Sequence, residues 1–338
     1  MFAPRMQRSL STIGLLGVLL TTIACGNPGV ADTNATFAGE TVRIIVGFAP
    51  GGGYDLHARL VAAHLGQYLP GRPTVIVENM PGAGGALAAN YVATAAAPDG
   101  LSVGLIGEAS APDLVASKLL DRLALLGSPG ATLPVIAFTR KSGIASVEDW
   151  RRAATPPRVG SNGGRALSAV VPRVAAATLG LPARMVSGYA GTSEIRLALA
   201  SGEVDAYAFD ASVGRSDQLG DATIVLRFGP PLAQRADIPD ALSLAPDAHA
   251  RGLLEAGVYD MRPFGRVFIA PRGVTGARLA LLRAGLARTW ADAAFLREAK
   301  AANLLIAPIS AEALEQSVAK LSESRDAIPG LRDMLRVD

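Results

Sequence analysis

The chain has 338 residues, half of them hydrophobic and 18% charged, with a formal net charge of +3. No Lys/Arg cluster with interleaved aromatics occurs, which argues against nucleic acid as a partner. The one cysteine, Cys25, excludes an internal disulfide and, in the domain that follows it, a Cys-ligated metal or a Cys nucleophile.

Met1 to Ser9 carry Arg5 and Arg8 but no acid, and Ile13 to Leu20 are almost wholly apolar. That is the charged region and apolar run of an export signal, and it is well short of the roughly 20 apolar residues of a spanning helix. "TTIAC" closes the run and resembles a bacterial lipobox, with Thr22 where Leu is usual. The expectation is a signal peptide over residues 1–24 and lipidation of Cys25; a cut after Ala31 or Ala38 is the alternative. Residues 25–39 are small, polar and aperiodic, as in a lipidated tether, and a diacylated Cys25 would hold the protein on a membrane surface. Removing the first 24 of 338 residues leaves 314, a length suited to two domains, and lowers the net charge from +3 to +1.

From Glu40 onward short apolar runs alternate with helical patterns. "TVRIIVGF" precedes a helix over Asp55 to Tyr68, "TVIVEN" one over Gly84 to Ala96, and "LSVGLIG" a helical patch near Leu114. The order continues through "LPVIAFTR", "RVGSN", "ARMVSG", "VDAYAFD" and "ATIVLRFG", with helices expected over 146–154, 165–179 and 192–200. A loop over Pro230 to Asp247, the strand "GRVFIAP", one long helix over Thr275 to Asn303, "LLIAPIS" and a polar helix from Ala311 complete the chain. Apolar strands separated by helices predict an α/β chain with mainly parallel sheets buried on both faces. Two successive βα sets predict two lobes, 40–135 plus 224–338 and 136–223, with the strands near Pro134 to Arg140 and Thr223 to Gly229 crossing between them. A cleft between lobes is where a small ligand is expected.

The candidate chemistry begins at "GFAPGGGYD". It lacks the Gly-Lys-Ser/Thr ending of a P-loop, the G-x-G-x-x-G spacing of a dinucleotide site and the Gly-x-Ser-x-Gly of a nucleophile elbow. What it offers is Gly51, Gly52 and Gly53 at the carboxyl end of a strand, just before a helix: bare backbone and first-turn N–H groups that can seat an anion. Tyr54 can cover that ligand or pack on the loop, and Asp55 can contact it or cap the helix. "ENMPGAGG" repeats the pattern and reads equally as a turn with close helix packing; Asn79 can brace either loop. In "RVGSNGGRALSAV", Ser161, Asn162, Gly163 and Gly164 stand at another strand end before a helix. Two such helix starts, one per lobe, can close on one carboxylate without a cationic residue.

Catalytic signals are poor. His57 and His64 lack a metal-ligand pattern, His249 stands alone, and Asp205 and Asp210 have no partner nucleophile. Asp210 can meet a ligand or an ordered water, or cap its own loop. No catalytic residue, metal or cofactor is expected.

The stretches "VRIIVGFAPGGGYDLHARLVAAHL", "TVIVENMPGAGGALAANYVATAAAPDGLSVGLIG", "GYAGTSEIRLALASGEVDAYAFD" and "FIAPRGVTGARLALLRAGLARTW" resemble, in this order, the Bug family of extracytoplasmic solute receptors of the tripartite tricarboxylate transporter system. The resemblance implies a two-lobed, Venus-flytrap, periplasmic-binding-protein fold that holds a carboxylate at the loops matching Gly51 to Asp55 and Ser161 to Gly164 and presents it to permease subunits. The family's frequent Tyr-Lys-Gly appears as Tyr189, Ala190, Gly191, without the cation, and Glu108 stands where small hydroxyl residues are usual. These departures lean toward a monocarboxylate, aromatic acid or amino-acid-like ligand over a polyanion. The expectation is a monomeric receptor and no enzyme, in the periplasm or at the cell surface. An exported α/β hydrolase-like enzyme, or a ligand-sensing partner of a signalling system, is the alternative.

Overall fold

A computed structural model describes residues 1–2, 36–107, 119–163, 166–213, 220–232, 235–274 and 276–327. The apolar runs fold into two five-stranded sheets. The first has the order β2 (Thr74–Asn79), β1 (Thr41–Val46), β3 (Ser102–Ile106), β10 (Val267–Pro271) and β4 (Leu123–Gly127). The second has the order β7 (Arg184–Ser187), β6 (Arg158–Ser161), β8 (Ala206–Asp210), β5 (Pro134–Thr139) and β9 (Ala222–Arg227).

Each sheet is mixed, where mainly parallel sheets were expected. β1 pairs in parallel with β2 and β3, as β6 does with β7 and β8. β10 and β5 then run antiparallel to both of their neighbours. The same topology thus occurs in both lobes.

Successive residues of the central strands enter different core clusters. Ile44 and Val46 pack on one side of the first sheet and Ile45 on the other; Ile136 and Phe138 oppose Val135 and Ala137 in the second. A strand buried on both faces needs apolar residues at every position, which is why these runs do not alternate in polarity. Each fully buried Leu, Ile or Phe contributes about 1.5–3 kcal/mol.

The helices are α1 (Gly53–Leu65), α2 (Ala86–Thr94), α3 (Val147–Arg151), α4 (Leu167–Leu179), α5 (Thr192–Ser201), α6 (Ala248–Gly257), α7 (Gly276–Ala291), α8 (Ala293–Ala301) and α9 (Ala311–Ala327). Among the described residues none is long and apolar enough to cross a membrane. The single long helix expected over 275–303 is two, because Asp292 is extended and its carboxylate accepts the Phe295 N–H at 2.7 Å, capping α8. β4 and α6 were not anticipated.

Pro134 to Thr139 and Ala222 to Arg227 do not cross between lobes; both strands lie wholly in the second sheet. The second lobe also extends past residue 223, since Leu226, Phe228, Ala241, Leu254 and Val258 share its core. The sequence between β9 and β10 is rich in Pro and Asp, which hid that it packs on this sheet. The signal segment, Cys25 and Glu108 lie outside the described residues.

Candidate functional site

α1 begins where β1 ends. Gly52 is its N-cap in extended conformation, with no side-chain cap, and Gly51 before it has a φ of 81°, open to glycine at little cost. Asp55, 3% exposed, does not cap the helix. It reaches back to accept the Gly51 N–H at 2.9 Å and binds Arg59 Nε at 2.8 Å and Asn79 Nδ2 at 3.0 Å. Asn79 also donates to the Phe48 carbonyl at 2.9 Å, so it braces the first glycine loop. The second loop packs instead: a Cβ on Gly47 would lie 2.7 Å from Gly85 Cα.

Burial pushes the Asp55 carboxyl up, but the hydrogen bonds from Arg59, Gly51 and Asn79 outweigh it and hold it below the ordinary value of 3.8. Its stabilising contribution is therefore complete above that value and is lost as pH falls through the lower folded value. Asp55→Asn should cost about 1–3 kcal/mol near neutrality. In urea melts from pH 7 down to 3 the gap from wild type should narrow below about pH 4; a gap independent of pH would mean that the charge has no part in ordering the loop.

In the second lobe the expected helix start at Ser161 to Gly164 is not one. Ser161 is fully buried and its hydroxyl donates to the Gly163 carbonyl at 3.1 Å. Ser168 Oγ accepts the Asn162 N–H at 3.1 Å and donates to Asn162 Oδ1 at 2.5 Å. The loop closes on its own polar groups, and α4 starts later, at Leu167.

The counterpart of the first loop is at α5. Gly191 is its extended N-cap, without a side-chain cap, and Glu194 accepts the Ala190 N–H at 2.7 Å, as Asp55 does for Gly51. "GGYD" and "GTSE" share a glycine N-cap with an acid three residues on. That recurrence was visible in the sequence and was missed.

Both helix starts open on one cavity of about 510 Å³ between the lobes, within the range of small-ligand pockets. Of the residues named from sequence, Gly51, Gly52, Gly53, Tyr54, Asn162, Gly191 and Asp210 line it. Asp55, Ser161, Gly163 and Tyr189 do not; Asp55 and Ser161 serve their loops, and the Tyr189 hydroxyl donates to Glu203 at 2.7 Å. Gly164 and Glu108 fall outside the described residues.

Two cations that sequence reasoning missed also line the cavity, Arg196 on α5 and Arg266 just before β10. Arg266, 3% exposed, pairs with Asp210, whose carboxylate also accepts the Leu133 and Ser212 N–H groups at 2.7 and 2.9 Å. The pair joins the end of a second-lobe strand to the start of a first-lobe strand. A charge opening the apolar run "GRVFIAP" was the available signal. Beside it His57 is 1% exposed, with Nδ1 2.9 Å from the Gly53 carbonyl. Burial first, then the Arg266 charge, push its pKa down to about 3, so it is neutral and donates through Nδ1. Among the described residues no group of three or more His, Cys, Asp or Glu is placed to hold a metal ion.

Two mixed α/β sheets, each carrying helices, with a ligand-sized cavity between them, make up the two-lobed fold of periplasmic binding proteins. Solved structures of that class superpose on most of the chain. The periplasmic binding protein BugD matches with a TM-score of 0.66 and 22% identity, over 85% of this chain and 97% of that one. MatC from Rhodopseudomonas palustris, solved with bound malate, matches with a TM-score of 0.64 and 20% identity, over 88% and 99%. No family model matches the sequence. Protein BugT of Bordetella pertussis is 35% identical over 111 residues, which cover 33% of this chain and about a third, 32%, of that relative's length. Over that third the sequence is similar to a Bug protein, and over most of its length the chain shares the fold of BugD.

Proposed function

We propose that the protein is an extracytoplasmic receptor that captures a small carboxylate in the cleft and delivers it to the membrane subunits of a tripartite tricarboxylate-type transporter. The observation that carries this reading is the pair of uncapped helix starts, Gly52 to Tyr54 and Gly191 to Ser193, on opposite walls of one cavity. Backbone N–H groups and the positive ends of two helix dipoles favour an anion between them. Each charge-assisted bond contributes about 1.5–3 kcal/mol, so two or three suffice for micromolar affinity. A ligand that touches both lobes only when they are closed shifts the population toward the closed form. That form is what a transporter can distinguish from the empty receptor.

The malate bound by MatC supports a carboxylate as the ligand. The arrangement serves holding and release, with no turnover, in the periplasm, with Cys25 as a lipid anchor. Thermal denaturation of the purified protein against a set of carboxylates tests the reading. At a ligand concentration of about 100 Kd the stabilisation is about 2.7 kcal/mol, which raises Tm by several degrees in a chain of this size. If no carboxylate moves Tm while an ester or amide is turned over, the receptor reading fails.

A further inference from the structure

Beyond the two helix starts, the cleft is walled by aromatic rings from both sides. Phe48 and Tyr54 line the cavity from the first lobe and stack with ring centroids 3.8 Å apart and planes 10° apart. Their seat is bare backbone. A Cβ on buried Gly107 would lie 2.9 Å from Tyr54 Cζ and 3.1 Å from Phe48 Cζ, so any larger residue there would displace the pair. Tyr207 and Phe209 line the same cavity from the second lobe. They are two residues apart on β8 and so share a face, and they stack at 4.7 Å with planes 16° apart. Ile195 and Leu199 of α5 belong to the cluster behind them.

Packing within each lobe explains one ring pair, but not why each lobe turns a stacked pair toward the shared cleft. Rings gain from offset or edge-on contact with a further ring, by about 0.5–1.5 kcal/mol beyond burial alone. A second carboxylate or a hydroxyl placed among these rings would lose its water and meet no donors from the rings themselves beyond the hydroxyls of Tyr54 and Tyr207. The cleft carries acids as well as cations: Arg266 is paired with Asp210, and Glu194 lines the same cavity as Arg196. The cleft thus offers little surplus positive charge to a dianion.

Resting on the carboxylate-receptor reading, the geometry points to an aromatic carboxylate of the benzoate type as the solute. Its carboxylate lies at the starts of α1 and α5, and its ring lies between Phe48–Tyr54 and Tyr207–Phe209. Isothermal titration of the purified protein with benzoate and with malate tests this. Benzoate is expected to bind at least tenfold more tightly than malate. Malate binding as tightly or more tightly overturns the aromatic assignment and leaves the carboxylate reading standing; binding of neither overturns the aromatic assignment, and the carboxylate reading then stands or falls on the thermal assay with the wider set. Phe209→Leu keeps an apolar side chain but removes a ring, and it should weaken benzoate about tenfold. Unchanged benzoate affinity in that variant would also overturn the assignment. Tyr54→Leu makes the same measurement from the opposite lobe should Phe209→Leu fail to fold.

Discussion

Asp210→Asn should destabilise the protein by about 3–5 kcal/mol, although the substitution changes almost no volume. The Asp210 side chain is 13% exposed and that of Arg266 4%. The carboxylate accepts from Leu133, from both the N–H and the hydroxyl of Ser212, and from the Arg266 guanidinium. An amide can still accept, but it removes the charge that compensates a buried guanidinium, and loss of one partner from a buried pair costs far more than loss of both. Arg266→Met on top of Asp210→Asn should therefore restore much of what the single change removes. Urea denaturation of the wild type, both singles and the double measures the coupling. A loss below about 1 kcal/mol for Asp210→Asn would mean that the pair does not hold β8 to β10.

Gly52→Val should leave the fold nearly intact and weaken carboxylate binding by about two orders of magnitude or more. A Cβ at Gly52 would meet only the Ala49 carbonyl, at 3.6 Å, and the residue's φ of −83° suits any side chain. The branched side chain would stand over the first N–H groups of α1, where the anion is proposed to sit. Loss of two charge-assisted bonds costs about 3 kcal/mol or more, roughly a hundredfold in Kd. Titration with the best carboxylate found in the thermal assay, alongside a urea melt, separates the two effects. Wild-type affinity would show that this glycine turn shapes the loop and holds no ligand. Gly107 is different: a side chain there would collide with Tyr54 and Phe48, so both packing and site would change together.

The glycine turn and helix start of the first candidate half could be read from the chain because all of their parts are local. A glycine run after an apolar strand, an acid three residues past the N-cap and a helix behind it lie within ten residues, and each follows from backbone chemistry. The second expected helix start was misplaced for a reason equally local. Ser161 and Asn162 have the side chains of N-caps, but Ser168 folds back on them and α4 starts at Leu167. Hydroxyl and amide groups can satisfy a helix or their own loop, and composition does not distinguish the two.

Most of the strands, the alternation of strand and helix and the glycine turn were determined by the sequence itself, since apolar periodicity and backbone freedom are properties of short segments. Three things came only from the tertiary structure: the antiparallel insertion of β10 and β5 into otherwise parallel sheets, the ion pair between Asp210 and Arg266, 56 residues apart, and the meeting of two aromatic pairs on one cleft. Each joins residues far apart along the chain, and that pairing is chosen by how the sheets pack. No short segment carries a record of the partner it will find across the fold.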